Sequence, residues 1–164
     1  MGVAFVSELL PPIKVIEHVA AANEYPYEWR DENSLRIFVK GHWSHYEASF
    51  RWFSDLQALH MAIGFGLKAP ANRLKELRIL TRRLNEDLWI GHFDYWPDER
   101  LMLFRHATQC PDGETISPQQ GRAMLQEGLE TCDDNYPAFD LVVNRVMKAQ
   151  EALEKNITET VGNA

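Results

Sequence analysis

A chain of 164 residues, 45% apolar and 25% charged, has the composition of one globular domain large enough to bury its own core. Its formal charge of −7 argues against nucleic acid as the main partner, because phosphate contacts need a basic face. The two cysteines, Cys110 and Cys132, fall in no CxxC or Cys/His spacing, which argues against a secreted disulfide scaffold and for a reducing cytoplasm.

Residues 1–11 read as a loose N-terminal arm without the basic start of a signal peptide. Pro12 suits the first turn of a helix, and Ile13, Ile16, Val19 and Ala20 recur at helical spacing until Pro26 ends it. A polar turn over residues 30–34 leads into a strand over 35–40, and a second strand covers 46–53. Ser54-Asp55 suits a tight hairpin. The third strand places Leu59, Met61, Ile63, Phe65 and Leu67 on one face, with Gly64 and Gly66 opposite, where they suit a bulge.

Residues 70–88 form the organising helix, with Leu74, Leu77, Leu80, Leu84 and Leu88 in one core-facing stripe. A hairpin follows, carrying Phe93 and Tyr95 on one arm, Leu101 and Leu103 on the other, and Pro97-Asp98-Glu99 at its tip. Ser117 and Gln120 spell a capping box around Pro118, and Leu125, Leu129 and Cys132 line the inner face of the helix it opens. Pro137 is expected to break or kink that helix. A last helix then carries Phe139, Val142, Val146, Ala149 and Leu153 at nearly heptad spacing, and residues 157–164 are expected to fray. No apolar run approaches the ~20 residues that span a bilayer, so no membrane partner is expected. The order α-β-β-β-α-β-β-α predicts an α+β domain over residues 12–156, a mainly antiparallel five-stranded sheet with helices on one face.

Leu84-Asn85, Leu88, Gly91 and Phe93, a short acidic hairpin, Arg105, and Tyr136-Pro137 occur in an order that resembles the YbjN family, whose members carry the name "putative bacterial sensory transduction regulator". The resemblance covers roughly residues 12–150. It implies a fold similar to that of type III secretion chaperones, small acidic dimers that bind segments of partner proteins. It carries over no catalytic residue. This chain departs from the pattern at Trp96-Pro97, where the family tends to acidic residues and glycine, and in its longer, more apolar N-terminal arm.

The side chains able to do chemistry are sparse. His42 and His45 form an HxxH without the glutamate of a metalloprotease helix, and the six histidines read as scattered surface groups, so no metal and no cofactor is expected. Cys132 sits on an apolar stripe as a small core residue, while Cys110, in a loop, is expected to be exposed. No GxSxG elbow or glycine-rich phosphate cradle is present. Lys75, Arg78 and Arg82 share the outer face of the organising helix. They read first as a solvated face, and otherwise as a receiver for an acidic segment. Among the tryptophans, Trp52 and Trp89 read as core, whereas Trp96 is a candidate partner or dimer contact. The stripe of Phe139, Val142, Val146 and Leu153 is a second such candidate, suited to pairing with its twin in a homodimer. The residues thus point to a non-enzymatic protein-interaction module, homodimeric, with an unidentified protein partner. The alternative is a small-molecule sensor or enzyme using a pocket between sheet and helix, with His60, His92 or Arg105 as polar handles.

Overall fold

The structure is a computed structural model that describes residues 9–162, with side chains through residue 157. Residues 1–8 of the arm expected over 1–11 and the last two residues of the expected frayed tail lie outside the described residues. Helix α1 (Pro12–Ala22) precedes strands β1 (Tyr27–Asp31), β2 (Ser34–Lys40), β3 (His45–Phe53) and β4 (Ala58–Lys68). Helix α2 (Leu74–Asp87), strands β5 (His92–Trp96) and β6 (Leu101–Gln109), and helices α3 (Pro118–Val143) and α4 (Ala149–Gly162) complete the chain.

The sheet has six strands rather than the expected five, all antiparallel, in the order β1-β2-β3-β4-β6-β5. The extra strand, β1, covers residues 27–29, to which no element was assigned, and the first two residues of the turn expected over 30–34. It has a neighbour on one side only, is largely exposed and alternates for just five residues, Tyr-Glu-Trp-Arg-Asp, too short a run to stand out beside the turn that follows. Between β3 and β4 the chain uses a 3₁₀ turn, Ser54–Leu56, with Gln57 in the left-handed region (φ 47°), in place of the two-residue turn. The bulge expected at the glycines is present: pairing of β4 with β6 shifts between Gly64 and Lys68, and Gly66 has φ 74°.

Alternation assigns the faces. Leu35, Ile37, Tyr46, Ala48, Phe50, Leu59, Met61, Ile63, Phe65, Phe93 and Phe104 point inward under α1, α2 and α3 and are buried. Leu77 and Leu80 of the α2 stripe are buried with them, and Leu74, Leu84 and Leu88 pack at the margin. The capping box forms as written, Gln120 N–H donating to Ser117 Oγ at 3.0 Å and Ser117 N–H to Gln120 Oε1 at 2.8 Å.

The C-terminal half departs from expectation. Helix α3 continues through Pro137 to Val143, because Ala138, Phe139 and Val142 just beyond it are fully buried, and that burial outweighs the roughly 3 kcal/mol that an interior proline costs. Phe139 meets Phe65 and Phe93 edge-to-face, both at 5.1 Å between ring centres, and so stands at the hub of the core. The chain breaks later, at an elbow before Ala149 where Val146 takes φ 59°. Arg73, the N-cap residue of α2, and Glu76 in its first turn pin that elbow. The Arg73 guanidinium donates to the Val142 carbonyl at 2.8 Å and to the Met147 carbonyl, while Glu76 accepts the Ala149 amide at 2.9 Å at the start of α4. Helix α4 then lies against α2 and α3, with Ala149 and Ala152 buried, and remains helical to Gly162 where fraying was expected from residue 157.

Candidate functional site

Of the residues that carry the family resemblance, Asn85, Gly91, Phe93 and Arg105 gather where α2 meets the edge strand β5, while Tyr136 and Pro137 lie apart in α3. The Asn85 side chain imitates a missing strand: its Nδ2 donates to the Phe93 carbonyl at 2.9 Å and its Oδ1 accepts the Phe93 amide at 2.7 Å. Gly91, at φ 69°, lets the chain turn into β5. A Cβ there would stand 2.7 Å from the Arg105 carbonyl oxygen and closer still to the Phe104 ring. Arg105 in turn donates to Asp94 at 3.0 Å. Burial alone would raise the Asp94 carboxyl, but hydrogen bonds from Arg105 and the Tyr95 amide hold it below the ordinary carboxylate range.

Between α2 and β5 runs a groove of about 690 Å³. Leu74, Leu77, Phe93, Tyr95 and Pro97 provide its apolar lining, and Arg78 and Arg82 stand at its rim. Arg82 is bridged to Glu86 at 3.3 Å, whereas Arg78 has no ion pair among the described residues. The Thr81 hydroxyl, also in the lining, is buried without a hydrogen-bond partner among the described residues. On the connection joining the two walls, Trp89 is 99% exposed and Ile90 is exposed beside it. Trp89 is therefore not a core residue. Leu88 takes the last inward position of the α2 stripe, and the turn at Gly91 directs its neighbour to solvent.

A second feature lies on the helix-free face of the sheet. Arg105 Nε donates to His60 Nε2 at 3.2 Å, and His92 is the cross-strand partner of Arg105. These groups border a recess of about 280 Å³, to which His106 also contributes although its place opposite Met61 puts it on the helix-covered side of the sheet. Burial, then the Arg105 charge, pushes the His60 imidazole below its ordinary value, and burial does the same to His106. The three expected polar handles thus gather, but on the outer face rather than between sheet and helix.

The remaining candidates separate. Phe139 and Val142 are fully buried within one chain and present no surface to a partner. Val146 is 68% exposed at the elbow, Leu153 packs partly against the core, and Trp96 is partly exposed on the outer face opposite Leu101. Cys132 is buried as expected, and so is Cys110, whose loop is tied down by a hydrogen bond from its amide to the Gln57 carbonyl at 2.8 Å. Among the described residues no three His, Cys, Asp or Glu side chains form a group able to hold a metal, and no helix is long and apolar enough to cross a membrane.

Comparison with known proteins places this geometry. The family YbjN, described as "Putative bacterial sensory transduction regulator", matches residues 12–141, more than half of the chain. The chain belongs to the YbjN family. Among solved structures it is similar to YbjN from E. coli, itself described as "a putative transcription regulator", with a TM-score of 0.57 and 8% sequence identity over 77% of this chain and 90% of that one. At that identity the likeness speaks for the fold alone. A chain of the ExsC–ExsE complex matches at a TM-score of 0.49 and 10% identity over 74% of this chain and 88% of that one, too distant to argue from. No curated protein matches. Of the site, Asn85 and Thr81 had not been read as functional. Asn85 had been visible only as part of the family pattern, and Thr81 carried no signal.

Proposed function

We propose that the protein is a non-enzymatic interaction module of the cytoplasm, a homodimer that holds a segment of a partner protein in the α2–β5 groove in the regulatory role for which its family is named. One observation carries this reading: an open apolar groove edged by Arg78, which has no ion pair among the described residues, and continued by the solvent-exposed Trp89 and Ile90. An apolar lining this large gains from being covered, at about 25 cal/mol per Å² removed from water. The rim cation selects an acidic residue on the segment that covers it, and an exposed tryptophan is a common interface anchor. The occupant that fits is an amphipathic segment with apolar residues on one face and a carboxylate at its edge.

The test is native mass spectrometry of protein purified gently from its own cells, with a photo-crosslinker at Arg82. The expected result is a second polypeptide cross-linked at the groove and lost in the Trp89→Ala, Arg78→Glu double variant. A polypeptide unaffected by that variant, or no polypeptide at all, overturns the groove reading.

One observation favours a second reading. The His60–His92–Arg105 recess supplies hydrogen-bond donors suited to a small anion. In the same spectrum it requires a bound small-molecule mass that disappears in Arg105→Gln.

A further inference from the structure

The two edges of the sheet are finished differently. At β5 the outward amides are taken, Phe93 N–H by Asn85 and Tyr95 N–H by the Asp94 carboxylate at 2.8 Å. That edge is closed to another strand by the side chains of Asn85 on α2 and Asp94 on β5 itself. At β1 the Phe38 amide donates to the Pro26 carbonyl at 2.9 Å, and Glu28 pairs with Arg36. The antiparallel alternation then points the N–H and C=O of Tyr27 and Trp29 away from the sheet. No strand of the described residues receives them.

β1 is also held ready. Trp29 Nε1 donates to Glu17 at 2.7 Å, and the Lys14 ammonium sits 4.3 Å from the centre of the same indole, so α1 fixes the strand from below. Its residues read Tyr-Glu-Trp-Arg-Asp. Set antiparallel to itself about Trp29, this order places Glu28 opposite the partner's Arg30, and Arg30 opposite the partner's Glu28. Trp29 meets the partner's Trp29 as a hydrogen-bonded pair, using the groups that point outward. Within one chain Glu28 and Arg30 already share the outer face, 3.4 Å apart and both about half exposed, so neither charge has to be uncovered to meet a second copy.

We infer that β1 is a self-complementary edge through which two copies of this chain join into one continuous antiparallel sheet. The strand that fits is a second copy because the charge order matches itself. Among the described residues no side chain blocks its outward-facing backbone, unlike that of β5. The interface is isologous and closes on a two-fold axis, so it stops at a dimer. This rests on the dimeric reading above but not on the groove.

The experiment is sedimentation equilibrium of the full chain with single and paired charge reversals, read beside hydrogen exchange. Each reversal of one charge turns two attractive cross-strand pairs into two repulsive ones, and the dissociation constant is expected to rise about tenfold or more in Arg30→Glu and in Glu28→Arg. The Glu28→Arg, Arg30→Glu double variant should restore the wild-type dimer. The amides of Tyr27 and Trp29 should be protected in a concentration-dependent manner and exchange freely in either single variant. A wild-type monomer at every concentration overturns both this interface and the dimeric reading. A dimer indifferent to the reversals, or one the double variant does not restore, overturns the β1 interface alone. Tyr27 and Trp29 amides protected by a different polypeptide in a monomeric chain overturn self-pairing as well.

Discussion

Replacing Asp133 with alanine removes the anchor that fastens the β2–β3 hairpin to α3. One of its carboxylate oxygens accepts the Tyr46 hydroxyl at 2.6 Å and the Trp43 amide at 3.4 Å, and the other accepts the His42 amide at 2.9 Å. The Tyr46 ring is buried. Burial, then the hydrogen bond and negative charge of Asp133, pushes its hydroxyl well above the ordinary tyrosine range, so it stays a donor at any working pH. Gly41 belongs to the same joint: a Cβ there would fall 2.2 Å from the Tyr46 ring and 2.7 Å from the carboxylate. A hydrogen bond to a charged acceptor contributes about 1.5–3 kcal/mol, and a buried hydroxyl left alone forfeits a comparable amount. The two loop amides are exposed and regain water, so they contribute little beyond this. The loss is thus expected to be about 3 kcal/mol, a large share of the 5–15 kcal/mol typical of a domain. Urea denaturation should report it, alongside a Tm lower by about 6–12 °C. Tyr46→Phe keeps the ring and should cost about 1–2 kcal/mol. Because both variants break the same bond, the double variant should be less destabilised than the two singles combined, by about 1 kcal/mol. A loss below about 1 kcal/mol for Asp133→Ala, or strict additivity in the cycle, would refute the joint.

Phe139→Ala is expected to cost about 3–5 kcal/mol and to lower Tm without dissociating any dimer of the folded protein, because the side chain fills the core. A change in oligomeric mass at unchanged stability would speak for an interface role instead. Val146→Gly should stabilise by about 1 kcal/mol, raising Tm by about 2–4 °C, since a β-branched residue is strained at φ 59° and this one is mostly exposed. An unaltered or lower Tm would count against strain at the elbow. His60 and His106 have folded-state values depressed below the ordinary 6.5, so below that pH the unfolded chain binds protons that the folded one refuses. Stability should be fully present above about pH 6.5 and fall progressively towards pH 5. Differential scanning calorimetry of the His60→Gln, His106→Gln double variant should show that slope flattened, and an equal slope would place the titration elsewhere.

The periodic parts of this fold were legible in the sequence. The leucine stripe of α2, the alternation in β3 and β4, the bulge at the β4 glycines and the capping box at Ser117 are local statements, written by residues within one or two turns of each other. The family pattern around Asn85 and Gly91 was legible too, as an order of residues. Its meaning was not, because the partners of Asn85 and Arg105 come from other strands. The groove likewise has its walls on two different elements, and no spacing rule joins Arg78 to Tyr95.

By itself the sequence determined the element types, the inward face of most elements, the acidic character of the chain and its membership of a family pattern, because helical and strand periods force side chains onto one side or the other. Only the tertiary structure decided what covers each face. It turned Trp89 outward, drew Phe139 and Cys110 inward, made a strand of residues 27–31 by supplying β2 beside it, and divided one expected helical stripe at Val146 by clamping the elbow with Arg73 and Glu76. A periodic pattern states which side of an element is apolar. Whether that side meets the core, a second copy or water is decided by contacts between residues far apart in the chain, whose closure cost only the assembled fold can offset.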